Sequence, residues 1–247
     1  MPDALLAERA SDNQQVDEGT KMERRSSLEV MEELLPLRGA TIVDVGCGDG
    51  WLTRVLTRRG AHVTGIEVSP RHLQGARTTP PVGDEHYIQG VAEDLPIVSR
   101  SVDIVLFFNS LHHIDKDGLA KALSESARVL KSGGILYVSE PLPEGPYFEV
   151  MKPVHDETEV RQQAQAILRT APEYGLLVER TVHHVDKVKL RDFEAFHDRL
   201  TSINPHVREQ FDELEDAIRD SFHSLGRQVE DGWEFEQPMR ACLLRRS

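Results

Sequence analysis

Between Ala40 and Glu140 the chain alternates short apolar runs with stretches in which apolar residues return every three or four positions. The run "ATIVDV" has the length and β-branched content of a strand. Leu52, Val55 and Leu56 then mark a helix that stops near Gly60. "HVTGIEV" is a second strand, and Pro70 suits the first turn of the helix behind it. "HYIQG" is a short third strand and "VDIVLFF" a fourth. Leu119, Leu123, Ala127 and Leu130 predict a helix ending at "KSGG", before a fifth strand, "ILYVSE". Strand and helix in this rhythm predict a parallel sheet covered on both faces.

The flanks differ. Residues 1–20 are polar and aperiodic and read as a loose arm, whereas Leu28, Met31, Leu34 and Leu35 predict a leading helix over 22–35. After Pro141 the rhythm breaks. Residues 147–170 read as helical, "LLVERTVHHVDKVKL" as a long strand, and 192–226 as two helices, the last presenting Phe211, Leu214, Ile218, Phe222 and Leu225 on one face. "WEFEQPMRACLLRR" is a closing strand that would finish the sheet in antiparallel fashion. No linker divides the 247 residues, which are expected to form one domain.

Charge narrows the partners. With 42 acidic against 29 basic residues the formal net charge is −13, which argues against a nucleic-acid backbone as the main partner. Two cysteines, Cys47 and Cys242, make neither a disulfide framework nor a zinc spacing. The N-terminus lacks the apolar core and basic flank of a signal peptide, and nothing approaches a membrane span, so a cytoplasmic protein is expected.

The chemistry concentrates in "VDVGCGDG", where Gly46, Gly48 and Gly50 join a strand to a helix. Such a turn brings backbone close to a ligand beside a helix N-terminus. The spacing is G-x-G-x-G, neither the dinucleotide fingerprint nor a triphosphate loop. Asp44 and Asp49 would oppose a phosphate and suit a ligand carrying positive charge. Glu67, at the end of the second strand, can accept both hydroxyl protons of a ribose. A nucleoside with a cationic tail and no phosphate fits these groups, and S-adenosylmethionine is such a molecule.

"VDVGCGDG", "GIEVSP", "VAEDLPIVSRSVDIVLFFNSLHHID" and "ALSESARVLKSGGILYVSE" resemble, in order and spacing, the motifs of class I S-adenosylmethionine-dependent methyltransferases. The likeness is to the small-molecule branch that includes quinone-biosynthesis enzymes, and it covers residues 40–140. It implies an α/β fold: a Rossmann-like, doubly wound, mostly parallel seven-stranded sheet with an antiparallel final strand and appended lid helices. The expected organisation is an arm and helix over 1–38, a cofactor-binding core over 40–140, substrate and lid elements with a late strand over 141–232, and the closing strand over 233–247. By resemblance, Asp44, Gly46, Cys47 and Gly48 cradle the methionine part, Glu67 holds the ribose, and Val68 packs on the adenine. Ala92 and Glu93 edge the adenine ring, and Asn109 and Leu111 lie at the cofactor. Val91 stands where many relatives have a polar residue, which leaves Glu93 or Asp94 to meet the adenine amino group.

Methyl transfer from a sulfonium is an in-line displacement governed by positioning, with a base needed only for a protonated acceptor. No catalytic residue is assigned; His113 and His155 are candidates for such a base. Tyr147, Phe148, His155 and Phe196 are candidates for the acceptor pocket, because they follow the motif-bearing core. Cys47 reads as a small loop residue rather than a nucleophile, and His112-His113 as a helix start rather than a metal site, so no metal is expected. "NSLH" after the fourth strand differs from the N-P-P-Y turn of many enzymes that methylate base amines. A small organic acceptor, methylated on oxygen or carbon, is the expected partner. The alternatives are a non-methylating protein that binds or modifies S-adenosylmethionine and, less favoured by loop and charge, a dinucleotide oxidoreductase.

Overall fold

The computed structural model describes residues 22–203 and 207–247, so the arm over 1–20 lies outside the described residues. One mixed sheet organises the molecule. Its parallel strands are β2 (Thr41–Val45), β3 (His62–Glu67), β4 (His86–Gln89), β5 (Val102–Phe108) and β6 (Leu130–Pro141). Beyond β6 lies β9 (Gly232–Arg246), antiparallel both to β6 and to β7 (Leu176–Leu190). Two short strands, β1 (Glu23–Arg24) and β8 (Arg227–Val229), bring the sheet to nine strands, against the seven expected. The spatial order is β1-β7-β9-β6-β5-β2-β3-β4, with β8 paired to β9. The chain therefore winds outward from β2 in both directions and reverses between β2 and β5, the place where such sheets bind ligands.

The alternation of side chains along the strands builds two cores. Val43, Val45, Val105 and Phe107 pack with α4 (Lys116–Val129) and α6 (Thr158–Ile167); Ile42, Ile104 and Leu106 pack with α1 (Ser27–Leu34) and α2 (Trp51–Arg58). Each such side chain contributes about 1.5–3 kcal/mol on burial, so a one-residue slip would be costly and the register is firm. Helix α3 (Pro70–Thr78) follows β3, with Ser69 as its cap and Pro70 in its first turn.

Three local expectations change. The leading helix starts at Ser27, not Met22, because Ser26 and Glu29 form a capping box while Glu23 and Arg24 pair with β7. "KSGG" belongs to β6: the helix ends at Val129, and Leu130 already pairs with Val102. The helical stretch over 147–170 divides into α5 (Pro146–Met151), α6 and the start of a 3₁₀ segment, Leu168–Tyr174.

A third core is aromatic. Helices α5, α7 (Phe193–Ile203) and α8 (Val207–Leu225) enclose Tyr147, Phe193, Phe196, Phe211 and Phe222 over Phe235 of β9. Phe211, Ile218 and Phe222 face inward as expected, whereas Leu214 and Leu225 are exposed, one on the flank of the stripe and one at the helix's last residue.

Candidate active site

At the end of β2, Gly46, Gly48 and Gly50 have φ of +74°, +54° and +75°. The N–H groups of Gly46 and Cys47 both donate to the Ile66 carbonyl, at 2.8 and 3.0 Å, tying the loop to β3. On the other side the Ser110 hydroxyl donates to the Val45 carbonyl at 2.7 Å. A Cβ on Gly46 would lie 2.6 Å from the Ser110 Cβ, so the approach requires glycine there. A Cβ on Gly48 would meet nothing within 4 Å; the space over this part of the loop is open. Glu67 accepts the Gly48 N–H on one carboxylate oxygen and the Ser69 N–H on the other, each at 2.8 Å.

Asp44 is buried at the end of the same strand and accepts the Thr53 hydroxyl at 2.7 Å. Burial raises its pKa to about 6, opposed by Thr53 and assisted by the nearby Glu67 charge. The Cys47 thiol is pushed far up by burial and then by Asp44 and Glu67, which removes it as a nucleophile. Two carboxyl groups thus flank an open glycine turn that contains no basic side chain. This arrangement fits a cationic nucleoside and opposes a phosphate.

Asp44, Gly46, Cys47, Gly48, Glu67 and Asn109 come together at the carboxyl ends of β2, β3 and β5. Asn109 is exposed with φ +54°, a left-handed conformation that asparagine tolerates, and its N–H donates to the Ser139 carbonyl at 2.9 Å. Leu111 is buried in the core that includes Val45 and Phe107. Val68 and Val91 are apolar yet exposed, at 60% and 40%. Ala92 packs into the core with Leu95, and the Glu93 carboxylate lies against Gly118 in the first turn of α4.

Next to the glycine loop lies a set of side chains that sequence reasoning only partly singled out. The 3₁₀ turn Leu111–His113 is held by Glu140 at the end of β6, one oxygen of which accepts the N–H groups of Ser110 and Leu111 at 3.0 and 2.8 Å. The other Glu140 oxygen is bonded to Nδ1 of His112. Nε2 of His112 faces Oε1 of Glu157 at 3.8 Å, and Nε2 of His155 approaches the same oxygen at 3.0 Å. Arg161, buried on α6, clasps Oε2 of Glu157 through Nε at 3.0 Å and Nη2 at 2.7 Å.

Burial alone would raise the Glu157 carboxyl, but His155, His112 and Arg161 hold it down to about 2. Burial likewise works against the His112 imidazolium, yet Glu140 and then Glu157 keep its pKa above the ordinary value. Ser110, Glu140 and Arg161 were missed as site residues, whereas Glu157 lies in the run "HDETE" over 155–159, which reads equally as a solvated helix face or a pocket wall. Of the three missed, only Glu140 had a legible sign, a carboxylate closing an apolar parallel strand as Glu67 does.

The expected acceptor-pocket residues separate. His155 is part of the polar cluster and partly open. Phe196 and Phe148 are fully buried, the first in the aromatic core, the second under the Arg161 guanidinium at 4.9 Å. Tyr147 lies edge-on to Phe196 and Phe235, with ring centroids 6.2 and 6.1 Å away. These three rings are packing elements in this conformation, because the inserted helices bury aromatics against one another before they wall a cavity.

A doubly wound sheet with an acidic glycine turn at its reversal point defines a nucleoside-cofactor-binding domain of the Rossmann-like class. Residues 43–138 match the family described as "Methyltransferase domain", and this part of the chain is similar to the class I S-adenosylmethionine-dependent methyltransferases. S-adenosylmethionine is the cofactor of that family. The chain is 33% identical over 115 residues to a ubiquinone biosynthesis O-methyltransferase of Xylella fastidiosa, covering 45% of this chain and 46% of that one. It is 39% identical over 102 residues to a demethylmenaquinone methyltransferase of Tropheryma whipplei, covering 41% and 42%. The chain thus spans about half the length of the curated relatives it matches. A crystal structure of an S-adenosylmethionine-dependent methyltransferase from Mesorhizobium loti shares the fold, with a TM-score of 0.52 and 20% identity over 88% of this chain and 96% of that one.

Proposed function

We propose that this protein transfers the methyl group of S-adenosylmethionine to a small organic acceptor, on oxygen or carbon. The observation that carries the reading is the pair of carboxyl groups, Asp44 and Glu67, on either side of the open turn at Gly48. In this reading Asp44 meets the cofactor's ammonium, Glu67 accepts from its ribose hydroxyls, and the exposed Val68 and Val91 offer apolar cover for the adenine. Asn109 and Leu111 border the cofactor. The cofactor supplies a methyl carbon on a sulfonium, whose displacement needs only a well-placed nucleophile.

The acceptor side is the cluster around His112, His155 and Glu157, one strand away at the same sheet edge. His155 and His113 remain the candidates to take a proton from it. The quinone-biosynthesis relatives support a small-molecule acceptor, and the acidic charge supports one that is not a nucleic acid. Among the described residues no helix is long and apolar enough to cross a membrane. Both cysteines are free and buried, which suits the cytoplasm as the proposed location.

Calorimetry with S-adenosylmethionine, S-adenosylhomocysteine and NAD, followed by a labelled-methyl assay against a panel of phenols, enols and quinols, tests the proposal. Binding of NAD without either sulfur ligand would sink it. So would cofactor binding with no label transferred to any acceptor class.

A further inference from the structure

Among the described residues, one group of histidine, cysteine and acidic side chains could hold a metal ion: His112, His113 and Glu157, whose ligand atoms all lie within 4.8 Å of one another. The group has the construction of a metal centre. Glu140 occupies Nδ1 of His112 and so directs Nε2 inward, the carboxylate–histidine relation that orients metal ligands in known sites. Arg161 occupies one oxygen of Glu157 and leaves Oε1 facing the histidines. His155 reaches that same oxygen at 3.0 Å. The His112 and His113 rings lie 4.0 Å apart, one buried and one exposed, so a bound ion would remain open on one side.

We propose that His112, His113 and Glu157 form a two-histidine, one-glutamate site for a single divalent cation of the zinc class, with His155 beside it and one open position for a hydroxyl oxygen of the methyl acceptor. Imidazole and carboxylate ligands suit zinc and its neighbours, and three protein ligands with a free position are the catalytic form of such sites. Ligand atoms around a tetrahedral ion with bonds near 2.1 Å lie roughly 3.4 Å apart. Loading therefore draws the exposed His113 ring inward by about an ångström.

Charge supports the same occupant. Two carboxylates, Glu140 and Glu157, and one guanidinium, Arg161, leave the neutral-histidine cluster with one excess negative charge. A dication reverses that to one positive charge, which an oxyanion acceptor neutralises. Resting on the methyl-transfer reading, this narrows the acceptor to one bearing a phenolic or enolic hydroxyl. An ion held there would acidify the hydroxyl, so that its proton leaves to solvent water. Its oxygen forms the bond to the methyl carbon as the carbon–sulfur bond breaks with both electrons going to sulfur.

The test uses the 247-residue chain freed of metal with a chelator and titrated with Co²⁺, followed by calorimetry and visible absorption. One equivalent per chain with a ligand-field band is expected. His113→Asn and Glu157→Gln should each weaken it at least tenfold, and Glu140→Gln roughly 10- to 100-fold through the orientation of His112. His62→Asn, at an exposed histidine paired with Asp84, should leave the titration unchanged. S-adenosylhomocysteine binding by the same variants reports that each is folded. Absence of one-to-one binding overturns the proposal, as does binding that survives both His113→Asn and Glu157→Gln. A loaded site in a protein that methylates nothing would leave the metal site standing and remove the methyl-transfer reading instead.

Discussion

Glu67 and Gly48 are joined by a 2.8 Å hydrogen bond across 19 residues of sequence, the carboxylate accepting the loop N–H. The side chain proposed to hold the ribose therefore also fixes the turn that receives the rest of the cofactor. Ala in place of Glu67 removes both functions. Hydrogen bonds to a charged acceptor contribute about 1.5–3 kcal/mol, so cofactor affinity should fall roughly ten- to hundredfold. Calorimetry checks this, and an unchanged dissociation constant in a folded Glu67→Ala protein refutes the assignment.

With its pKa raised to about 6 and the cofactor's ammonium as its proposed partner, Asp44 should make cofactor affinity pH-dependent. Below that value an ammonium must displace the proton, so affinity should rise by up to about tenfold per unit between pH 5 and 6 and level off near 7. Stability runs the other way. The folded pKa lies above the unfolded value near 4, so the native state holds the extra proton between about pH 4 and 6. That contribution, on the order of 2–3 kcal/mol, is present at low pH and lost as pH rises through 6. Asp44→Asn should flatten both profiles, measured by calorimetry and by denaturant midpoints; identical slopes in the variant would contradict the account.

Gly46 and Gly39 share a φ of +74°, but only at Gly46 does a Cβ meet anything, the Ser110 Cβ at 2.6 Å. Gly39→Ala should cost about 1–2 kcal/mol for the left-handed backbone alone. Gly46→Ala should cost more, by about 1–3 kcal/mol of overpacking, and should part the glycine loop from the turn after β5. Urea titration of both variants gives the difference, and equal losses would show that the contact with Ser110 carries no energy.

Phe196 and His155 lie in the two environments of the inserted region. Phe196 is fully buried among rings at 5.7–6.2 Å, so Phe196→Ala should cost about 3–5 kcal/mol and lower the melting temperature. His155 is partly open and bonded to Glu157, so His155→Asn should change acceptor turnover with little effect on melting temperature or cofactor affinity. Turnover that tracks melting temperature across both variants would remove His155 from the acceptor site.

The alternation of strands and helices from Thr41 to Glu140, the glycine turn and the acidic end of β3 were all written in the sequence by itself. Each depends on neighbours within a few residues: apolar spacing, a φ that only glycine takes cheaply, a carboxylate at a strand terminus. What followed Pro141 was legible only as elements. Their placement depended on which strand edge was free, and β9 entered between β6 and β7, pairing with a strand about a hundred residues earlier in the chain. The polar cluster was likewise decided by tertiary structure. His112, Glu140, Glu157 and Arg161 come from a 3₁₀ turn, a strand end and the start of a helix, with no common period to announce them. Folding brings them together because the ends of β5 and β6 are adjacent in the sheet and α6 crosses above them, and burying each charge requires the others as partners.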